Sequence, residues 1–279
     1  MFRFNAARMR HESEVCQVLG KSHILSGLIA GVAVAGALPA PLPVRLLVVP
    51  VAGGAALLPD LDHRSSRIAR SLGPITKGLA AAVNALSLAI YDGTATDEDP
   101  HKRDGHRTAT HTIPGCLAWG LGLLLVGFAG PWAVTAAELP VRFTGAPVAV
   151  CLAVLVGLMG SGLKVRGYGF AVAGLAGSWW VTSTYSAWWW LWPVVVAVGS
   201  LSHVLGDAWT SSGVPLAWPF VVHGQRWYRV HAPTTFSTGT TVETTVVTPL
   251  LYLGLVVSVG FATGFLPAFV GVVSGVLGG

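Results

Sequence analysis

Charge is scarce in this chain. Asp, Glu, Lys and Arg make up 10% of its 279 residues, whereas an average soluble domain carries about 25%. Hydrophobic residues make up 53%, and the mean hydropathy is +0.65. This composition excludes a soluble globule and indicates an integral membrane protein, with room for about six to eight helical spans of roughly 20 residues.

Cysteine is also rare. Cys16, Cys116 and Cys151 lie far apart and form no Cys-x-x-Cys pair, which excludes a disulfide framework and a cysteine-type zinc site. The formal net charge is small, +5, and the basic residues fall between apolar runs. We therefore expect membrane lipids as partners and no nucleic acid, while no obligate protein partner can be inferred.

The first apolar run begins only after a polar stretch of about 22 residues, which is long for the start of a secretory signal peptide. This favours a retained signal anchor. We predict a cytoplasmic N-terminal tail over residues 1–21 and a single membrane-embedded domain over residues 22–277.

Long apolar runs predict an all-α, polytopic membrane bundle of about six to eight hydrophobic helices, some short or re-entrant. Residues 24–58 are interrupted by "PAPLPVR" at 39–45, which predicts a hairpin of two helices because proline ends or kinks a helix. Residues 78–91 are short for a span, 206–244 are predicted to lie outside the membrane, and 245–277 form one span or two short ones broken at "TGFLP". The remaining spans are predicted at about 113–136, 147–163, 168–186 and 188–205.

Basic residues predict the orientation of this bundle. If residues 24–58 form a hairpin, most of the Lys and Arg residues fall on one side of the membrane, and the opposite side keeps only Arg45 and Arg142. Basic loops face the cytoplasm, so the N-terminus and the large loops are predicted to be cytoplasmic. The basic segments are the tail, residues 59–77 with Arg64, Arg67, Arg70 and Lys77, residues 92–111, Lys164 with Arg166, and Arg226 with Arg229.

Histidine and aspartate residues occur at the cytoplasmic ends of four predicted helices. Four separate regions that deliver these residue types to one side are hard to explain as independent solvation. Carboxylate and imidazole ligands without thiolate suit Zn²⁺, with Mn²⁺ or Fe²⁺ as alternatives, and seven candidates exceed the need of one tetrahedral ion, so one or two ions are expected. The candidate metal ligands are His23, Asp60, Asp62, His106, His111, His203 and Asp207.

The local spacings support this hypothesis. His203 and Asp207 are four residues apart and therefore share one helix face. His106 and His111 are five apart, so the first is expected in the loop and the second on the following helix, with Thr110 as its N-cap.

Simpler interpretations remain open for the individual residues. A single histidine at a membrane boundary is usually a capping or interface residue, and the two aspartates after the second helix could only solvate a loop. His203 and Asp207 could be a hydrogen-bonded pair, and Arg64, Arg67 and Arg70 are expected to fix topology and contact lipid headgroups.

Four motifs in the same order resemble the YdjM family of inner-membrane proteins, whose members are expected to be metal-dependent hydrolases. The motifs are "SHILSGLIAG", "ALLPDLDHRSSRIARSL", "HRTATH" and "LSHVLGDAWTSSGVPLAWPF", and the resemblance runs through residues 22–243. It maps the seven candidate ligands and Arg107 onto the family's polar motif positions. This chain has Thr108 where the family commonly has glycine, and it carries an insertion around "DGTATDEDPHKRD" that adds acidic residues and His101.

The resemblance implies a membrane-bound metal-dependent hydrolase that acts at the cytoplasmic face on a phosphoester or lipid-linked substrate. Asp62 would be a ligand or the general base, and Arg107 would stabilise an anionic substrate or transition state. Two alternatives stay open: a cation-binding transporter, and a scaffold whose metal only ties helix ends together. The sequence assigns no role to His63, His101 or Glu243.

Overall fold

The computed structural model describes residues 4–277 except 65, 67, 72 and 166; in residues 4–19, 167, 168, 271–273 and 275–277 it describes the backbone only. Within this part of the chain the fold is all-α, and three isolated bridges between residues 210 and 236 are its only β-type pairing. The α-helices are α1 Phe4–Ala37, α2 Leu42–Ala55, α3 Pro74–Thr94, α4 Ile113–Ala136, α5 Ala146–Gly162, α6 Gly167–Thr184, α7 Leu191–Ala208, α8 Thr248–Ala262 and α9 Phe265–Leu277.

Six segments of the described chain are long and apolar enough to cross a membrane, which agrees with the predicted polytopic bundle. They contain the second half of α1 and most or all of α2, α4, α5, α7 and α8. Each needs its backbone polar groups satisfied internally, and an α-helix does this without outside partners. The segments are Gly20–Ala37, Leu42–Asp62, Ile113–Ala136, Val141–Gly162, Leu191–Ala208 and Glu243–Ala262.

The predicted hairpin forms from α1 and α2, with a tighter turn than expected. The break ends at Pro41, and Leu42 already begins α2, so Arg45 lies in the first turn of that helix. The Arg45 Nε donates a hydrogen bond to the Ala35 carbonyl, 2.7 Å away. This contact satisfies one of the orphan carbonyls that every helix C-terminus leaves.

Close packing around α2 holds the bundle together. A Cβ atom at Gly54 would overlap the carbonyl oxygen of Leu155 in α5, and one at Gly199 in α7 would come within 2.5 Å of the Ala52 carbonyl oxygen. Small residues allow this approach, which is how helices associate in a bilayer that provides no hydrophobic drive between them.

The predicted span at 168–186 forms α6, although this helix is not among the six apolar candidates. It runs antiparallel to α5, because Phe170 packs against Gly160 near the end of α5 and Thr182 lies against Gly145 at its start. Helix α6 therefore carries the chain from one end of the bundle to the other.

Two segments of undecided span status form separate helices outside the six candidates. Residues 78–91 lie within α3, which buries Thr76, Ala80, Asn84, Ser87 and Tyr91 on one face. The last apolar run breaks at Gly264, whose φ of +76° ends α8, and residues beyond it form α9.

One end of the bundle collects the functional candidates. It contains the start of the spanning part of α1, the end of α2, the start of α4 and the end of α7. The residues that predict a cytoplasmic location for this end include Arg67 and Arg166, which lie outside the described residues. The orientation of the N-terminus stays a prediction.

Candidate metal centre

A short turn after α2 delivers two carboxylates to the bundle end. Residues Pro59–Asp62 form a 3₁₀ helix directly after α2. The Asn84 side chain of α3 donates a hydrogen bond of 2.6 Å to the Asp62 carbonyl and holds this turn in place. Asp62 is fully buried, whereas the side chain of Asp60 keeps 25% of its surface exposed.

Four side chains from three regions of the chain point at one another. The Asp207 Oδ2 lies 3.5 Å from the His111 Nε2 and 3.6 Å from the His203 Nε2. The Asp60 Oδ1 lies 3.6 Å from the His203 Nε2 and 3.9 Å from the His111 Nε2. Four donors around a tetrahedral Zn²⁺ at about 2.1 Å would be about 3.4 Å apart, so these four distances are close to those between ligands of one ion.

Three of these four atoms have no other partner. The His111 Nε2, His203 Nε2 and Asp207 Oδ2 are buried and accept or donate no hydrogen bond within the described chain. Their separations are too long for hydrogen bonds to one another. Buried polar atoms without a partner are costly, so three of them converging on one point fit a shared cation.

Hydrogen bonds at the far ring nitrogens orient both imidazoles. The His203 Nδ1 lies 2.7 Å from the Ala56 carbonyl oxygen, and the His111 Nδ1 lies 3.0 Å from the Thr110 hydroxyl and 3.2 Å from the Asp62 Oδ2. The Thr110 hydroxyl donates to Asp62, so both Nδ1 atoms face acceptor oxygens, and in the neutral ring that a metal binds, each Nε2 has its lone pair directed at the centre. Burial also lowers the pKa of His111, which keeps the ring neutral as a ligand must be.

Asp62 has both carboxylate oxygens engaged. Its Oδ1 lies 2.9 Å from the His106 Nδ1. Its Oδ2 accepts from the Arg107 backbone N–H at 3.1 Å and from the Thr110 hydroxyl at 2.5 Å, in addition to the His111 contact. The geometry therefore favours Asp62 as the carboxylate that orients two histidines; its predicted role as a ligand remains a prediction.

Arg107 pairs with a candidate ligand. Its Nη2 lies 2.9 Å from the Asp207 Oδ1 and its Nη1 donates to the Thr210 hydroxyl at 3.1 Å. The residue adopts a left-handed φ of +54°. The guanidinium neutralises Asp207 and holds one oxygen, which leaves the other directed at the two histidines.

His23 and His106 complete the predicted set on either side of the centre. The His23 ring stacks on His203 with centroids 3.7 Å apart, and its Nε2 is 3.5 Å from the Asp207 Oδ1. The possible ligands form three overlapping groups, and within each group the ligand atoms lie within 4.8 Å of one another. The groups are His23 with Asp60 and His203, Asp60 with His106 and His111, and His111 with His203 and Asp207. Because the groups share members, the residues could hold one ion or two.

The residues that the sequence left undecided occupy three different positions. The His63 ring lies edge-on to His106, 4.6 Å between centroids, and burial together with the nearby His106 lowers the pKa of His63. His101 is exposed on the inserted loop. Glu243 is buried and accepts hydrogen bonds from the Ser22 hydroxyl at 2.9 Å and the Gly239 N–H at 2.8 Å.

The insertion docks a loop and contributes no member to the three ligand groups. Asp99 accepts hydrogen bonds from the backbone N–H groups of Arg226 and Trp227, at 3.2 and 2.9 Å. Thr108 has φ −120°, and its hydroxyl donates to the Gly105 carbonyl at 2.6 Å.

One local prediction differs from the structure. Thr112, not Thr110, is the N-cap of α4, since its hydroxyl accepts a hydrogen bond from the Gly115 N–H at 3.0 Å. The predicted N-cap Thr110 donates to Asp62 instead, and His111 ends a 3₁₀ turn before the helix begins. Two hydroxyls two residues apart are both plausible caps, and only the position of Asp62 decides between them.

Two cavities adjoin the centre from different sides. A polar cavity of about 560 Å³ is bounded by His106, His63, Arg64, Asp104 and Arg103. A larger cleft of about 800 Å³ begins at His23 and continues between α7 and α8.

A family model described as YdjM inner membrane protein matches residues 18–276. No curated protein and no solved structure matches the chain. The matched region contains all six candidate spans and every residue of the centre, and the chain therefore belongs to the YdjM inner membrane protein family.

Proposed function

We propose that this multi-pass membrane protein is a metal-dependent hydrolase that acts on a phosphoester or lipid-linked substrate at the cytoplasmic face of the membrane. One observation carries the proposal: three buried, unpartnered donor atoms, on His111, His203 and Asp207, face one another at the end of the bundle. These three residues are the proposed protein ligands of one ion and leave its fourth position to water or substrate, while Asp60, His23 and His106 are the candidates for a second ion.

A divalent ion bound there would polarise an ester or phosphoryl oxygen and lower the pKa of water towards neutrality. The chain's own residues supply the rest. Asp62 holds the rings of His106 and His111, and Arg107 fixes Asp207 while it places positive charge beside the site. His106 is the most solvent-accessible of the histidines in the set, with 29% of its side chain exposed, and it lines the polar cavity. The Asp62–His106 pair is therefore the route by which a proton would leave the site.

The position of the centre disfavours the transporter hypothesis. Substrate and ion sites in secondary transporters lie near the bilayer midplane, at broken helices. Here the donors lie at the ends of α2 and α7 and before the start of α4. The scaffold hypothesis shares the same ligands and has to be separated from the enzyme by experiment.

Metal content and hydrolysis measured together test the proposal. We expect detergent-purified protein to retain one or two divalent ions per chain, to lose them in His203→Ala and Asp207→Asn, and to keep them in His101→Ala, an exposed histidine outside the ligand groups. Wild-type protein should hydrolyse p-nitrophenyl phosphate or an ester analogue, and the two ligand variants should not. Metal that binds and stabilises the fold without any turnover would favour the scaffold, and no bound metal would refute both.

A further inference from the structure

The large cleft beside the metal centre lies between two helices that share a support. Both α7 and α8 pack on α1, but they do not pack closely on each other. The floor of the gap comes from α1 and its walls from α7 and α8. The apolar lining on this side recurs at helical spacing and so forms one face: Val246 and Val247 in the π-helical turn Glu243–Val247, then Leu250, Leu251 and Gly254 in α8.

The cleft changes from polar to apolar along its length. At the metal-centre end it is lined by His23, Thr210 and Glu243, whereas Ile29 and Leu250 lie further along the spanning helices. From Leu250 to Gly254 the apolar wall extends about 6 Å along α8, at 1.5 Å per residue, and Val246 and Val247 in the preceding π-helical turn lengthen it. A cleft with this gradient complements a molecule with a polar head and a hydrocarbon tail.

The polar end of the cleft carries side chains that can contact a head group. Thr210 touches both the cleft and the metal centre, because Arg107 donates to its hydroxyl. Glu243 lines the cleft with its carboxylate held by Ser22 and the Gly239 N–H, so it ties α1 to the start of α8. Arg107 does not line the cleft itself; its guanidinium reaches this end through the hydrogen bond to Thr210.

The apolar end of the cleft is open to the surrounding lipid. No residue of α8, Thr248–Ala262, is buried in the described chain, and Leu250, which lines the cleft, is 60% exposed. A span that exposes apolar side chains along its length is surrounded by lipid. Hydrocarbon can therefore enter the gap between α7 and α8 from the side.

We propose that this cleft binds the hydrocarbon chain of a membrane amphiphile and presents its phosphoester head group to the metal centre. The identity of the head group rests on the function proposed above. The position of the chain rests only on the cleft, its polarity gradient and its opening to lipid. The substrate class is thus a single-chain or prenyl-type lipid phosphoester, reached without leaving the bilayer.

Photolabelling tests the position of the chain without requiring turnover. The probe is dodecyl phosphate with a diazirine at the end of its chain, added to wild-type protein in lipid nanodiscs. We expect the cross-links to map to the apolar walls on α7 and α8. Leu250→Trp should reduce labelling by about tenfold because it fills the cleft. The matched control is Leu253→Trp, on the same helix and equally exposed at 59%, but outside the cleft; it should label as wild type does.

A second variant keeps the test independent of one substitution. Leu205→Trp fills the cleft from the α7 wall and should reduce labelling in the same way. Equal labelling of Leu250→Trp, Leu205→Trp and Leu253→Trp would overturn the proposal, as would cross-links spread over the outer surface. Labelling of the cleft in nanodiscs that hold one copy of the chain, but not in nanodiscs that hold two, would assign the cleft to a second copy and also overturn the proposal.

Hydrolysis by the wild-type protein separates this inference from the proposed function. If both hold, the dodecyl phosphoester is hydrolysed faster than the methyl phosphoester. If the cleft is labelled as expected but neither ester is hydrolysed, the proposed function fails and the lipid site stands. If the methyl ester is hydrolysed at least as fast and the cleft is not labelled, the enzyme stands and the lipid site fails.

Discussion

Replacing Asp62 with asparagine separates an orienting carboxylate from a metal ligand. The carboxylate accepts from His106 and Thr110 and holds the His111 Nδ1, and asparagine keeps its shape but turns one acceptor oxygen into an N–H donor. At least one histidine then loses its charged partner and part of its orientation. Loss of such a partner typically weakens metal affinity by about 10- to 100-fold. This corresponds to about 1.4 to 2.7 kcal/mol of binding free energy.

A competitive zinc titration measures this effect. Detergent-solubilised protein is titrated against a chromophoric chelator, and the dissociation constant and stoichiometry are compared for wild type, Asp62→Asn and His203→Ala. We expect Asp62→Asn to raise the dissociation constant within the range above and leave the stoichiometry unchanged, whereas His203→Ala loses the ion. Asp92→Asn, an exposed acid beside the polar cavity, is the control and should bind as wild type does.

Two results would refute this reasoning in different ways. An unchanged dissociation constant in Asp62→Asn would mean that the contacts to His106 and His111 do not prepare the site. A complete loss of the ion, equal to that of His203→Ala, would mean that Asp62 is itself a ligand, as the sequence predicted.

Two further predictions concern stability. Gly54→Ala should destabilise the protein by about 1 to 3 kcal/mol, because its Cβ would overlap the Leu155 carbonyl and force α2 away from α5. The control is Gly122→Ala, which has open space around it and should leave the stability unchanged or raise it by up to about 1 kcal/mol. Equal unfolding temperatures of the two variants would contradict the close approach of α2 and α5. Burial and the nearby Arg229 lower the pKa of Lys102 from 10.5 to about 8, so between these values the unfolded chain binds more protons. The metal-free protein should therefore gain stability as the pH rises from about 8 to about 10.5, and Lys102→Met should lack this gain in thermal melts recorded across that range; parallel profiles would be the contrary result.

The helices could be predicted because an apolar run in a bilayer has to satisfy its backbone hydrogen bonds internally, which an α-helix does. The predicted span at 113–136 has the bounds of α4, and the break at 39–45 produces the α1–α2 hairpin. Helix α6 shows the limit of hydropathy. Its sequence mixes Gly, Ser and Thr with aromatic residues, so the span predicted at 168–186 is not among the six apolar candidates, and its packing along α5 supports the crossing.

The sequence could also predict where the polar site lies, since four helix ends carry His and Asp on the same side. It could not distinguish Asp60 from Asp62. The two residues have the same chemistry, and a 3₁₀ turn after α2 directs Asp60 to the unpartnered histidine nitrogens and Asp62 to the opposite nitrogen of His111. That division depends on contacts with residues from 45 positions away, Arg107 with Asp62, to 143 positions away, His203 with Asp60, which no local pattern records.

Glu243 illustrates a role that only the tertiary structure reveals. In the sequence it is one acid in a stretch rich in threonine, and it has no partner nearby to suggest a site. In the fold it accepts from Ser22, 221 residues earlier, and joins α1 to the start of α8. It therefore helps to shape the cleft although it is absent from the three ligand groups.

The surroundings of the centre bear on whether its metal is catalytic or structural. An ion that only tied helix ends together would be served best by a closed site, since structural zinc sites fill all four positions with protein ligands and need no access. Two cavities end at the histidines that flank the buried donors: the polar cavity at His106 and the apolar cleft at His23. A hydrolase of a lipid phosphoester needs both routes, one for water and the released head group and one for the chain. The proposed hydrolase accounts for a polar and an apolar cavity on either side of the buried donors, whereas a purely structural ion would require neither.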